Sequence, residues 1–405
     1  RDVAPSRGLG DVYKRQRINR VMRTICVVTG SRAEYGLLSR LMRMIKESQD
    51  CRLQVIATNM HLLPEYGNTY LEIERDGFHI DAKVSMKKTS DDAYGVIASM
   101  SEEMKGMNEA LRRLSPDMVV ILGDRYEMLV VAIISMLQHI PIVHLHGGEI
   151  SEGAVDDSIR HSITKMSSLH FTSTEVYRKR VIQLGEQPDR VFYVGSLGVE
   201  NLQQVSLMNK QDLEASLDFT FADSTIMVTY HPVTLGNRSP KDEIDDFLLA
   251  LDAFPELKVL FTMPNSDQGG DVIRHAIEGY CRQNGDRCSC YSSLGVHRYL
   301  SALQYVVAVV GNSSSGLIEV PSAHIPTLNI GERQKGRIHG ESVLDCGSDT
   351  ASIIAGLNQV LSYEFRMGAY VAMNPYEKEN TAQLIFDIIS TYPLDILQRK
   401  PFYNL

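Results

Sequence analysis

The sequence predicts an α/β protein built from two Rossmann-like, doubly wound domains facing a cleft. Three observations carry this expectation. Short runs of Val, Ile and Leu recur without polar alternation, as in parallel strands buried on both faces. Amphipathic helical segments separate these runs, and strand, helix, strand in strict turn winds a parallel sheet. The rhythm stops at a polar stretch from about Gln203 to Asp223 and then restarts, so the pattern is written twice. A chain of 405 residues is long enough for two cores of ordinary size.

The first strand is expected at 25–28, where it runs into the loop Thr29-Gly30-Ser31-Arg32. Leu37, Leu38, Leu41, Met44 and Ile45 then repeat at helical spacing. Strands over 53–57, 118–122, 142–145 and 169–172 continue the first sheet, with helices over 91–114 and 127–138 between them. After the break, strands are expected at 225–229, 257–261, 305–310 and 326–330, separated by helices around 244–253, 272–282 and 316–322. The domains are thus expected at 22–200 and 201–375, with a last helix near 376–390, in the segment 376–405, crossing back onto the first domain. Residues 1–21 carry neither strand nor helix periodicity and no apolar signal-peptide core. They are expected to be a non-native extension with Met22 as the natural start, or a disordered basic arm.

Composition narrows the function classes. A net charge of -9 argues against a nucleic-acid surface, which needs a concentrated basic face. An arginine pocket for an anionic small molecule remains compatible with it. No run of 18 apolar residues occurs, so no membrane span is expected. Six cysteines at irregular positions suit a reduced, cytoplasmic compartment. Cys288 and Cys290 lack a matching second pair and are expected to be thiols in a strand, not metal ligands.

In open α/β sheets, ligands bind outside the carboxyl ends of the strands. The expected ends are rich in chemistry: Arg32, then Gly123-Asp124-Arg125, then His146-Gly147-Gly148-Glu149 in the first half. His231-Pro232, Pro264-Asn265 and Gly311-Asn312-Ser313-Ser314-Ser315-Gly316 hold the matching places in the second. The run Gly311 to Gly316 enters a helix carrying Glu319, so it is either a diphosphate cradle at a helix N-terminus or a plain serine cap. Glu319 is either an acceptor for two ribose hydroxyls or a first-turn acid. The run lacks a P-loop lysine and the dinucleotide spacing, which disfavours ATP and NAD. Asp124 closes a buried strand, where a carboxylate is costly unless paired or working. Asp156 and Asp157 open a helix, with Arg160 and His161 four residues on. Asp124, His146, Glu149 and Asp156 are expected at one sheet edge, where crowding should raise carboxyl pKa values toward neutrality and fit proton transfer. Arg32, Arg125 and Arg333 could balance a leaving diphosphate.

At this point the motifs resemble a family. TGSRAEYG (29–36), LGDRYE (122–127), HLHGGE (144–149), DDSIRHSITKMS (156–167), YHPVT (230–234), GNSSSGLIEVP (311–321) and NIGERQKGR (329–337) occur in order. Together they are similar to the hydrolysing UDP-N-acetylglucosamine 2-epimerases of bacterial sialic-acid biosynthesis, over nearly all of 22–390. The resemblance implies the glycosyltransferase type B fold, UDP held chiefly by the second domain, and no metal or redox cofactor. It implies elimination of UDP to a 2-acetamidoglucal, then addition of water to give N-acetylmannosamine. By the resemblance, Arg32 and Arg125 contact substrate or diphosphate. His231, Asn265, Ser313, Ser314, Ser315, Gly316, Glu319 and Arg333 form the UDP site, and Asp124 and Asp156 are catalytic carboxylates. Several family members carry Glu where this chain has His146, so the third proton-transfer role falls to His146 or Glu149. A related substrate, UDP-2,4-diacetamido-2,4,6-trideoxyglucose of legionaminic-acid synthesis, and a type B glycosyltransferase are the alternatives. A homo-oligomer, dimer or tetramer, is expected through exposed helices of the first domain.

Overall fold

The protein is described by a computed structural model covering residues 22–405, apart from Lys88 and Asp91. The expected extension at 1–21 lies outside the described residues.

Two wholly parallel sheets form. The first contains β1 (Arg23–Thr29), β2 (Cys51–Thr58), β3 (Ala82–Val84), β4 (Met118–Leu122), β5 (Ile142–Leu145), β6 (Leu169–Thr172) and β7 (Val191–Tyr193), in the order β3-β2-β1-β4-β5-β6-β7. The second contains β8 (Thr225–Thr229), β9 (Lys258–Thr262), β10 (Cys288–Tyr291), β11 (Ala308–Gly311), β12 (Thr327–Ile330) and β13 (Val343–Cys346), in the order β10-β9-β8-β11-β12-β13. Each sheet therefore reverses its winding beside its first strand, between β1 and β4 and between β8 and β11. Crevices open at such reversals because the flanking helices leave to opposite faces. Two parallel, doubly wound sheets of this kind are the arrangement of the expected two-domain glycosyltransferase type B fold.

The strands that sequence pattern found best are buried along their whole length, as β4, β5, β6 and β8 are. The three-residue strand β3 and the edge strand β13, with its mixed burial, left no comparable signal. The helix expected over 316–322 is a single turn, Ser315–Ile318, followed by a 3-10 turn Val320–Ala323 that contains Pro321. Proline has no amide hydrogen to continue the ladder, so the helix stops. Glu319 is consequently the cap residue after the turn and not an acid within a helix, and little macrodipole builds at Ser313 and Ser314.

The chain returns to the first domain at its end. The helix Thr381–Thr391 buries Ile385 and Ile389 in the same core as Leu38 and Leu41. Arg23 fastens it by donating to the carbonyl of Tyr392 at 2.8 Å. Tyr376, expected at the start of that helix, lies before it, fully buried, with its hydroxyl donating to Ile338 O at 2.7 Å. Cys288 and Cys290 sit in β10, and all six cysteines are free thiols.

Candidate active site

The second-domain wall is assembled around one amide. Asn312, fully buried after β11, donates from its side chain to His231 O at 2.8 Å and accepts from His231 N at 2.7 Å. The loops after β8 and β11 are thereby locked together, which puts His231 beside Ser313 and Ser314. The carbonyl of Asn312 in turn accepts from Arg333 at 3.0 Å and from Gln334 at 2.9 Å, so the loop after β12 joins them. Burial, and then the nearby Arg333 charge, push the His231 imidazole down to about 3. His231 is neutral at physiological pH and acts as a hydrogen-bonding group, not a cation.

A cavity of about 270 Å³ opens here, lined among others by Arg32, His231, Asn265, Ser313, Ser314, Ser315, Glu319 and Arg333. Eight of the ten residues expected to bind substrate thus face one space. Gly316 does not line it: the glycine packs its bare Cα against Thr327, whose methyl would stand 2.8 Å from an added Cβ. Two glycines let the cavity close. An added Cβ on Gly295 would lie 2.0 Å from the Arg32 guanidinium, which crosses the cleft to donate to Ser293 O at 3.1 Å. One on Gly198 would lie 2.0 Å from the Glu319 carboxylate. Arg32 also meets Glu72 at 2.6 Å.

Arg125, expected to contact substrate or diphosphate, is held by other side chains. Its buried guanidinium is committed to Glu127 at 2.7 Å, Asp267 at 2.9 Å and Ser266 at 3.0 Å. Since Asp267 and Ser266 follow β9, Arg125 braces the two domains against each other. It is not among the cavity residues.

The acids form the first-domain wall. The helix Asp156–Met166 carries Arg160 inward, and that side chain, 1% exposed, pairs with Asp124 through both Nε, at 2.9 Å, and Nη2. Arg160 also donates to Asp157 at 3.1 Å, to Glu149 O at 2.8 Å and to Ser151 Oγ at 2.9 Å. Crowding was expected to raise the carboxyl pKa at Asp124. Burial does raise it, but the charges of Arg160 and Arg337 outweigh burial and the Asp124 carboxyl lies below its ordinary value. Asp156 behaves as expected: burial first, then the charges of Asp124 and Asp267, lift it to about 6 against the partial opposition of Arg333 and Arg125. Arg333 links this acid electrostatically to the cavity that it lines. The acids themselves stand beside the cavity, not in its lining.

Glu149, expected as a possible proton carrier, is 3% exposed and held by Ser173 Oγ at 2.8 Å, Arg337 at 3.1 Å and His146 Nδ1 at 3.4 Å. Burial would raise its carboxyl, but Arg337 and then His146 hold it far below the carboxylate range. It stays ionised and cannot deliver a proton near neutrality. Arg337, Ser173 and Asp267 were not singled out from sequence, and Arg160, expected to share a helix face with Asp156, instead pairs with Asp124 and Asp157. Arg160 and Arg337 were visible inside two motifs, but their partners come from other strand ends.

Among the described residues, no group of three or more His, Cys, Asp or Glu side chains is arranged to hold a metal ion, and no helix is long and apolar enough to cross a membrane.

Comparison with known proteins defines the class. The family model described as UDP-N-acetylglucosamine 2-epimerase matches residues 43–390. A GDP/UDP-N,N'-diacetylbacillosamine 2-epimerase (hydrolyzing) of Campylobacter jejuni is 43% identical over 344 residues, 85% of this chain and 89% of that protein. The polysialic acid biosynthesis protein P7 of Escherichia coli is 40% identical over 389 residues, 95% of this chain and 98% of that protein. In fold, the UDP-GlcNAc 2-epimerase of Neisseria meningitidis bound to UDP-GlcNAc superposes with a TM-score of 0.73 at 16% identity, covering 90% of this chain and 99% of that one. The fold is that of this UDP-sugar enzyme. The chain belongs to the UDP-N-acetylglucosamine 2-epimerase family.

Proposed function

We propose that the protein is a hydrolysing 2-epimerase that converts UDP-N-acetylglucosamine and water to N-acetylmannosamine and UDP, a step toward sialic acid. The observation that carries this reading is Asp156: a carboxyl lifted to about 6 beside a cavity lined by hydroxyls and Arg333. A group that is partly protonated near neutrality can both give and take a proton. The reading assigns the serine hydroxyls of 313–315 and Arg333 to the diphosphate, and Glu319 to the ribose hydroxyls. Loss of the C2 proton and departure of UDP from C1 leave a 2-acetamidoglucal, to which water then adds. Asp124, kept ionised by Arg160, is suited to stabilise positive charge developing at C1 and the ring oxygen. The 40% identity to a polysialic acid biosynthesis protein supports the sialic-acid role.

The relative at 43% identity, named for a diacetylated bacillosamine, favours a second reading: UDP-2,4-diacetamido-2,4,6-trideoxyglucose as substrate of the same reaction. Incubating the purified enzyme with each nucleotide sugar in heavy water tests both. The first reading expects free N-acetylmannosamine carrying deuterium at C2 and needs no acceptor. Turnover of the diacetamido sugar alone would replace it by the second, and a requirement for an acceptor would make the protein a glycosyltransferase.

A further inference from the structure

The edge of the second sheet carries thiols that the cavity does not use. β10 lies at that edge, paired with β9, and its residues Cys288 and Cys290 alternate onto one face. The helix Gly270–Gln283 packs against β10 and brings Cys281 to the same core. Cys281 and Cys288 are buried in that core, and Cys290, half-buried, packs against it. Free thiols from two elements thus share one apolar corner of the domain. They are not arranged to hold a metal ion.

The thiols are not equivalent. A hydrogen bond joins the Cys281 and Cys290 side chains and brings the Cys290 thiol down to about 7, against burial and the charge of Glu278. The same bond, with burial, pushes the Cys281 thiol up, so Cys281 keeps its hydrogen. Ordinary core cysteines are raised by burial, as Cys288 is to about 11 and Cys346 to about 12. A half-buried, partly ionised thiol beside a protonated one is the arrangement of an attacking and a resolving cysteine. The corner also lies between two supports of the cleft. After Tyr291 the chain enters Ser292, Ser293, Leu294, Gly295 and Val296, all of which line the cavity, and Ser293 O accepts from Arg32 at 3.1 Å. The helix carrying Cys281 starts just after Asp267, which receives Arg125 at 2.9 Å. A covalent bond holds two sulfurs closer than a hydrogen bond does, so joining them draws β10 toward that helix.

We propose that Cys281 and Cys290 are a modification site for hydroperoxides, closing to a disulfide that draws β10 toward the helix Gly270–Gln283 and disturbs the cavity wall following β10. The Cys290 thiolate attacks one peroxide oxygen, the O–O bond breaks, and the hydroxide that leaves takes up the proton Cys290 had shed. Cys290 is then a sulfenic acid. The Cys281 sulfur attacks the Cys290 sulfur, and the displaced hydroxide leaves as water with the Cys281 proton. Two thiols are oxidised to one disulfide, and hydrogen peroxide is reduced to two waters. Formation of the bond is independent of the epimerase reading above, whereas its effect on nucleotide binding rests on that reading.

The test treats the reduced wild-type protein with excess hydrogen peroxide and maps the product by peptide mass spectrometry. The expected product has lost the two thiol hydrogens, links the peptides carrying Cys281 and Cys290, and is reversed by dithiothreitol. Cys288→Ser is expected to form the same link. In Cys281→Ser, with no resolving thiol, the sulfenic acid on Cys290 is expected to persist and to be captured by dimedone. UDP affinity, measured by calorimetry, is expected to fall at least about threefold on oxidation of the wild type and to return on reduction. Cys290→Ser is expected to bind UDP as the reduced wild type does and to be insensitive to peroxide. Absence of the Cys281–Cys290 link in oxidised wild type, or a link made chiefly by Cys288, would overturn the thiol pair. A complete link with UDP affinity unchanged would overturn its effect on the cavity. Reduced protein that does not bind UDP would bring down the nucleotide reading, while the mapped link still decides the pair.

Discussion

The two walls of the cleft are built by different means. The second-domain wall is largely neutral, and its polar groups are locked by one buried amide, Asn312, acting on neighbouring loops. The first-domain wall is dense in charge, and its charges are paired over long distances: Asp124 with Arg160, Glu149 with Arg337, Arg125 with Asp267. Asp156 takes part in no ion pair among the described residues, and its carboxyl is lifted to about 6. The contrast teaches that a binding surface can be made from preformed local loops. A proton-transfer surface needs most of its charges neutralised so that one group is left free to change state.

The comparison can be broken most forcefully at Arg160. Replacing it by Met leaves Asp124 half-buried without its partner, and is expected to cost about 3 kcal/mol of unfolding free energy, the low end for a broken buried pair because Asp124 is partly open to water. Chemical denaturation measures this, and a loss below about 1 kcal/mol, typical of surface pairs, would mean that the wall does not depend on the pairing.

Asp156→Asn and Asp124→Asn come next. Each is expected to lose at least about a hundredfold in kcat while still binding UDP. Near-normal turnover in either would remove that residue from the chemistry. On the opposite wall, His231→Ala and Arg333→Met should raise KM about tenfold and change kcat less than about threefold. If kcat fell as much as in the Asp variants, the division between a binding wall and a reacting wall would fail.

The smallest effect concerns stability. Asp156 has its folded-state pKa raised to about 6 from 3.8, so the folded protein holds that proton more tightly than the unfolded chain. Its contribution to stability is fully present below about 4 and is lost as the pH rises through about 6. Asp156→Asn cannot ionise and should therefore melt higher than wild type at pH 7.5, with the gain shrinking by pH 5. A variant that melts lower at pH 7.5 would contradict the raised carboxyl.

Much of this was written locally in the chain. Strands β4, β5, β6 and β8 were expected at the bounds they have, because an unbroken Val, Ile and Leu run needs only its own residues to declare a buried strand. The loops that follow could be named for the same reason, since a ligand crevice lies at strand ends whatever the rest of the fold does. The cavity accordingly gathers most of the residues expected to bind substrate. Sequence misjudged the turn at Ser315–Ile318, where Pro321 stops the helix early.

What the sequence by itself determined was the doubly wound architecture, its repetition, and which polar residues stand at the carboxyl edges. Only the tertiary structure decided what those residues are. Arg160 reaches Asp124 across 36 positions, Arg125 turns to Asp267 across 142, and Arg337 comes from the other domain to hold Glu149. The protonation state of a carboxyl follows from its burial and from the nearest opposite charge, and both are set by neighbours distant in the chain. That is why Asp124 and Asp156 end on opposite sides of their ordinary pKa.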